Sequence, residues 1–361
     1  MTERLPRAFA APGTYVQGPE ILGAAGPHLA RLGDRMFAVI DPNVREVAEP
    51  GLRAACEAEG LAWRSEPFLG ECTEKAWTRL AEIASASRPD AILAAGGGKA
   101  LDTGKLVADE LRLPSVMVPT IASTDAPTSR VAVIYDDEHA VVRVAQLRSN
   151  PALVLVDTAL IIQAPVRFLV AGMGDALSTW PEARSNAAGA ARTPLGGSQT
   201  QAALALAELS YRIVLEHGRE ACRDAAVHQL SPAFEAIVEA NILLSGLGFE
   251  SGGLAVCHAI HAGLAAIPAC HAAMHGEKVA FGVVVQSVLE RWPDHDRAEL
   301  LDFYREVGLP STLAGVGMGA ATPEDLRRVA EVTCRPGSHI HNLRTPITPA
   351  ELVQVLESLR S

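Results

Sequence analysis

Four histidines fall within residues 258–275, out of eleven in the chain. They are His258 and His261 in the run Phe249–His261 (FESGGLAVCHAIH), then His271, then His275, which opens HGEK at His275–Lys278. One more donor, Asp175, stands in GMGDALST at Gly172–Thr179. A carboxylate with two imidazoles suits a divalent transition metal, zinc being the default, and three protein ligands leave room for a substrate oxygen. His258 and His261 are i and i+3 in a helical run and so share a face. Both could ligate, or one could ligate while the other handles protons, and His271 is a further candidate. There is no HExxH, so the zincin arrangement is excluded. The plainer alternative is that these are half-buried polar residues of ordinary helices.

Three other segments could hold an anion or a sugar. Ala91–Lys99 reads AILAAGGGK and runs into a helical stretch at Ala100–Leu106. Glycines such as Gly96, Gly97 and Gly98 let the backbone approach an anion, and a helix N-terminus offers it free N–H groups. The pattern is neither GxGxxG nor a P-loop, and a tight strand-to-helix turn would read the same way. Asp41 ends the run MFAVID. A carboxylate there can accept from a ribose diol and repels a 2′-phosphate, favouring NAD over NADP; otherwise it simply turns the chain before Pro42. Residues 119–129 read PTIASTDAPTS. Thr120, Ser123 and Ser129 could hydrogen-bond phosphate or ribose, and Asp125 could bind a substrate hydroxyl; an ordinary Ser/Thr/Pro turn is the alternative.

These segments need elements to hold them. With 361 residues the chain is too long for one core, and two domains are expected. Strand-length apolar runs occur at Met36–Ile40, Ala91–Ala95, Ser115–Val118, Val131–Tyr135 and Ala152–Val156, with helical patterns at Glu46–Glu59 and Thr73–Ser87 between some of them. Strands alternating with helices imply a βαβ-type parallel sheet, whose buried strands read continuously apolar. From about Pro165 the apolar residues recur at helical spacing, through Gln199–His217, Pro232–Leu247 and Gly253–Ala266. The expectation is an α/β domain over 1–160 and an all-α domain over 161–361, without a Gly/Ser linker, an internal repeat or a low-complexity segment.

Composition narrows the function. The formal net charge of −11 disfavours nucleic acid and anionic lipid as partners. Hydrophobic residues make up 48% and charged residues 20%, so the chain should fold. The six cysteines form no CxxC pair, which points to reduced thiols in the cytosol and away from cysteine-bound zinc. The start, MTERLPRAFAAP, lacks the apolar core of a secretory signal, and no run approaches the ~20 apolar residues of a membrane span. A cytoplasmic protein with no membrane partner is expected.

Together the motifs resemble the glycerol dehydrogenase branch of the iron-containing alcohol dehydrogenase superfamily. The matches are GGGKALDTGK at 96–105, PTIASTDAP at 119–127, GMGDAL at 172–177, GFESGGLA at 248–255, HAIHAG at 258–263 and HGEKVAFG at 275–282, with weaker likeness from TQAALALAELSY at 200–211 to HNL at 341–343. The resemblance implies an N-terminal NAD-binding domain and a helical C-terminal domain of the dehydroquinate synthase-like type, with the site in the cleft between them. It places zinc ligands at Asp175, His258 and His275, and the substrate-contacting carboxylate at Asp125. It places NAD contacts at Asp41, Gly98, Lys99, Thr120, Ser123, Ser129, Val131 and Tyr135, with Gly96, Gly97 and Asp102 in the same set. Iron-using relatives carry DxxxH; here Thr179 replaces that histidine, which favours zinc. Zinc would lower the pKa of a substrate hydroxyl, a hydride would pass to the nicotinamide, and His261 would pass the proton outward. Glycerol would give dihydroxyacetone, and a homo-oligomer, an octamer by resemblance, is expected.

Some positions depart from the family pattern. Thr128-Ser129-Arg130 stands where Cys-Ser-Ala is common, Leu343-Arg344-Thr345 where Met-Pro is common, and Trp180-Pro181 where an aromatic pair is usual. If Arg130 or Arg344 faces the site, the substrate would be anionic, such as a 2-hydroxy acid or a phosphorylated polyol. Two further alternatives are an NAD-recycling cyclase of the dehydroquinate synthase type, whose cluster of basic residues is not evident here, and a non-catalytic NAD-binding protein.

Overall fold

The computed structural model describes residues 5–360, which divide into two compact units. The α/β unit comprises Ala11–Pro165 and Val227–Leu230. The helical unit comprises residues 5–10, 166–226 and 231–360.

The α/β unit contains eight strands: β1 (Tyr15–Gly18), β2 (Arg35–Ile40), β3 (Ala62–Pro67), β4 (Ala91–Gly96), β5 (Ser115–Pro119), β6 (Val131–Tyr135), β7 (Val141–Gln146) and β8 (Leu153–Asp157). Its helices are α1 (Gly26–Leu29), α2 (Arg45–Ala58), α3 (Glu74–Ser87), α4 (Gly98–Leu111) and α5 (Thr158–Ile161). Six strands form a parallel sheet in the order β1-β8-β5-β4-β2-β3. Strands β4, β5 and β8 are buried at every residue, as helices on both faces require. From β2 the chain steps outward to β3, then crosses back to lay β4 on the other side of β2. The order therefore reverses between β2 and β4, and in open α/β sheets a ligand crevice lies beyond the carboxyl ends of the strands at such a point. The ends of those two strands are Asp41 and Gly96.

Val131–Tyr135 departs from the expectation of a parallel strand. It pairs antiparallel with β7 in a separate two-stranded ribbon. Its burial alternates residue by residue, with Ala132 and Ile134 packed against Ala145, Leu147, Leu106 and Cys72. One face of the ribbon sits on α4 and the other does not, which is the period-2 pattern of a half-covered strand.

The helical unit contains α6 (Val166–Ala188), α7 (Gln201–Ala226), α8 (Pro232–Glu239), α9 (Ser245–Gly252), α10 (Val256–Ala265), α11 (His275–Leu289), α12 (Asp294–Val307), α13 (Pro323–Thr333) and α14 (Pro349–Ser358). A π-helical turn, Ala240–Leu244, joins α8 to α9. The resulting run Pro232–Gly252 corrects the expectation that no segment is long and apolar enough to cross a membrane: it has 21 residues, and 72% of its apolar window is buried. Its apolar side chains serve the core of the unit. A second core forms where Val256, Ile260 and Leu264 of α10 meet Phe281 and Val285 of α11, Leu326 and Val329 of α13, and Leu352 and Leu356 of α14. Truncating a fully buried residue such as Phe281 to alanine would cost about 3–5 kcal/mol.

Candidate metal centre and cofactor loop

The packing of α6 on α11 sets the geometry of the site. Asp175 lies on α6 beside Gly174, and His275 opens α11 beside Gly276. A Cβ on Gly276 would stand 1.8 Å from the carbonyl oxygen of Ala171, and one on Gly174 would stand 2.5 Å from that of Gly276. The helices thus close to backbone contact, which only glycine permits. His258, from α10, enters the same space. The Nε2 atoms of His275 and His258 lie 3.3 Å and 3.6 Å from Oδ1 of Asp175. One ligand atom from each of the three residues can be chosen so that all lie within 4.8 Å of one another.

These separations suit a shared ion. Around a tetrahedral metal with bonds of about 2.0–2.1 Å, neighbouring ligand atoms stand about 3.4 Å apart. Charge-assisted hydrogen bonds would instead draw them to about 2.8 Å. Two imidazole nitrogens and a carboxylate form a borderline-hard donor set, and Cα-to-ligand reach comes from three different helices. Asp175 is fully buried, whereas the side chains of His258 and His275 are 16% and 38% exposed, so the cluster opens on the histidine side. His271 is exposed and lies outside the group.

Two further side chains hold the histidines. Glu182, fully buried two turns beyond Asp175 on α6, places its Oε2 2.6 Å from Nδ1 of His258, within hydrogen-bond distance. Its Oε1 accepts from the backbone N–H groups of Ala255 at 2.8 Å and His258 at 3.0 Å. Glu182 was absent from the sequence-derived set. Its signal is the i, i+7 spacing from Asp175, which returns a helical residue to the same face. Nε2 of His261 sits 3.1 Å from Nδ1 of His275. Burial, followed by the neighbouring His275, Lys278 and His258, holds the His261 imidazole well below the usual histidine range, so the ring is neutral. Where a DxxxH pattern would place another imidazole, Thr179 turns its hydroxyl to Ser245 of α9, Oγ to Oγ 3.2 Å.

The cofactor candidates lie in the α/β unit. Gly96 has φ of 150°, and a Cβ there would meet that of Asp41 at 2.9 Å. The two residues therefore touch at the switch point. Oδ1 of Asp41 accepts from the N–H of Asn43 at 2.9 Å, capping the turn Pro42–Val44, while Oδ2 would stand 3.7 Å from the same Cβ on Gly96. Gly97 is the N-cap of α4 and has no side-chain cap, and Gly98 opens the helix. The segment 119–129 folds over these glycines, with the N–H of Thr120 donating to the Gly96 carbonyl at 3.1 Å. Within it Asp125 and Ser129 are buried and Ser123 is half-buried. The N–H of Val131 donates to Ser129 Oγ at 3.4 Å.

Lys99 pairs with Glu71 at 2.6 Å and lies 4.8 Å above the Tyr135 ring. Glu71, also unforeseen, bonds His139 as well. Burial raises the carboxyl of Glu71, yet the bonds from Lys99 and His139 outweigh it and leave the group lowered. Asp102 is buried, pairs with Lys105 at 2.8 Å and accepts from the Val133 N–H at 2.9 Å, so its oxygens tie α4 to the ribbon. Arg130 is half-buried in this unit, and Arg344 is exposed in the helical one.

Residues 12–158 match the family model described as iron-containing alcohol dehydrogenase. Over 352 residues the chain is 44% identical to a glycerol dehydrogenase of Escherichia coli, covering 98% of this chain and 96% of that one. Among solved structures, a probable glycerol dehydrogenase from Sinorhizobium meliloti superposes with a TM-score of 0.93 at 38% identity, covering 98% of both chains. Glycerol dehydrogenase from Schizosaccharomyces pombe superposes with a TM-score of 0.94 at 35% identity, covering 99% of this chain and 91% of that one.

Proposed function

The chain belongs to the glycerol dehydrogenase family, and on that premise we propose that it oxidises glycerol to dihydroxyacetone with NAD and a zinc ion held by Asp175, His258 and His275. The observation that carries the reading is the three-helix cluster itself, whose spacing matches one ion. When bound, the zinc supplies a Lewis acid that makes an alcohol hydroxyl acidic, and the NAD supplies the hydride acceptor.

The chain's own residues then have separate tasks. Asp175, His258 and His275 present three donors and leave the histidine side open to a substrate oxygen. Asp125 is assigned to a substrate hydroxyl. His261, neutral and bonded to His275, holds that ring and is the group assigned to carry the proton outward. Its replacement by asparagine should displace the acid limb of the rate profile; an unchanged profile would remove it from the proton path. Asp41, Gly96, Gly97, Gly98, Lys99, Asp102, Thr120, Ser123, Ser129, Val131 and Tyr135 form the NAD-binding set, the α/β unit serving as the cofactor domain and the helical unit as the metal and substrate domain. A cytoplasmic location is supported by six free cysteines. An assembly of several copies, up to an octamer, is supported by the family resemblance and by the exposed valines of β7, among them Val142 at 60%.

The test is NADH formation by the purified protein with glycerol, 1,2-propanediol and 2-hydroxybutyrate in parallel. Glycerol turnover supports the reading. Turnover with the hydroxy acid alone would transfer the assignment to an anionic substrate, and NAD that cycles without net NADH would transfer it to a cyclase.

A further inference from the structure

We infer that Glu182 is a positioning residue that fixes the proton of His258 on Nδ1 and so makes Nε2 available as a metal ligand; this rests on the zinc reading above. A histidine ligates through a nitrogen lone pair, and which nitrogen has one depends on the partner of the other. Glu182 as a carboxylate can only accept. Its Oε2 lies 2.6 Å from Nδ1, so Nδ1 must carry the proton and Nε2 the lone pair. That lone pair is on the nitrogen turned to Asp175, 3.6 Å from its Oδ1.

The other oxygen of the same carboxylate has a second task. Helix α10 is preceded by Ala255 at its N-cap, a residue with no side-chain cap of its own. Oε1 takes the N–H groups of Ala255 and His258, two of the four orphan donors of that helix end. Glu182 therefore fixes the helix that carries His258 and the rotation of its ring at once. Because Asp175 and Glu182 stand on one face of α6, ligand and support move as a rigid pair.

Glu182→Gln separates the two tasks. The amide oxygen can still accept from the two backbone N–H groups, which keeps α10 capped. The amide nitrogen then faces Nδ1 and donates to it, which drives the ring proton to Nε2 and removes the lone pair. The expected result is a chain with its melting temperature nearly unchanged and a zinc affinity 10- to 100-fold weaker, read by competition with a fluorescent chelator. Parental affinity in a folded Glu182→Gln protein would overturn the inference while leaving the zinc reading intact. If Asp175→Ala also binds zinc like the parent, the zinc reading falls and the inference with it. Should Glu182→Gln fail to fold, nitrogen-15 NMR of the zinc-free parent decides, with His258 identified by its replacement. The Nδ1–H tautomer supports the assignment, and the Nε2–H tautomer overturns it.

Discussion

Gly174 and Gly276 meet across α6 and α11 with no room for a side chain, and each adjoins a member of the metal cluster. The separation of Asp175 from His275 is thus set by backbone contact. Gly276→Ala should force the helices apart, since its Cβ would fall 1.8 Å from the Ala171 carbonyl oxygen. The expected cost is about 1–3 kcal/mol of stability, as in overpacked cores. Zinc affinity should fall at least about tenfold. Denaturant unfolding and chelator competition measure the two effects separately, and parental values in both would show that the contact relaxes without consequence.

Removing the metal should abolish glycerol oxidation, and zinc should restore it. The same treatment should lower stability, because an ion at a hundred times its dissociation constant stabilises the folded chain by about 2.7 kcal/mol. Calorimetry with and without chelator checks this, and a melting curve indifferent to chelator would count against a bound ion.

Glu71, through its pair with Lys99, links the start of α4 to pH. Its carboxyl is lowered in the folded chain, so the unfolded chain binds the proton more readily. Stability from this group is therefore complete above the unfolded value of about 4.3 and drains away as pH falls through the folded one. Glu71→Gln should make the α/β unit less stable at pH 7 and flatten its acid dependence below about pH 4.5. Urea titrations at several pH values between about 3 and 7 would detect both changes. A parallel acid dependence in the two proteins would place the effect elsewhere.

Asp41→Asn should relax the preference for NAD. The amide oxygen can still accept from the Asn43 N–H, so the turn survives while the charge is lost. One screened charge contact is worth roughly 1 kcal/mol or more, so the NAD-to-NADP ratio of kcat/KM should fall at least about fivefold. An unaltered ratio would show that Asp41 acts only as a cap.

Much of the site could be read in the chain because its chemistry lies in residue types that cluster: histidines around residue 258–275, glycines at 96–98, hydroxyls at 119–129. What could not be read was the support. Glu182 lies only seven positions from Asp175, but nothing local shows that its partner is an imidazole 76 positions on. Glu71 reaches Lys99 and His139 through tertiary folding alone. In the fold, the fully buried strands were evident from continuous apolar runs. β3, a sheet-edge strand reading AWRSEP, lacks such a run. β7 reads VVRVAQ and is exposed at five of its six positions, so no buried run marks it as the antiparallel partner of β6.

The three metal-cluster residues come from distant parts of the polypeptide, with Asp175 and His275 a hundred positions apart. A growing chain that has just exposed Asp175 therefore offers a lone carboxylate, a poor trap for any ion. Only after α6, α10 and α11 have all been synthesised and packed do the donors converge. An ion that needs all three donors can then be held only after residue 275 has been made and its helix packed, late in the birth of the protein.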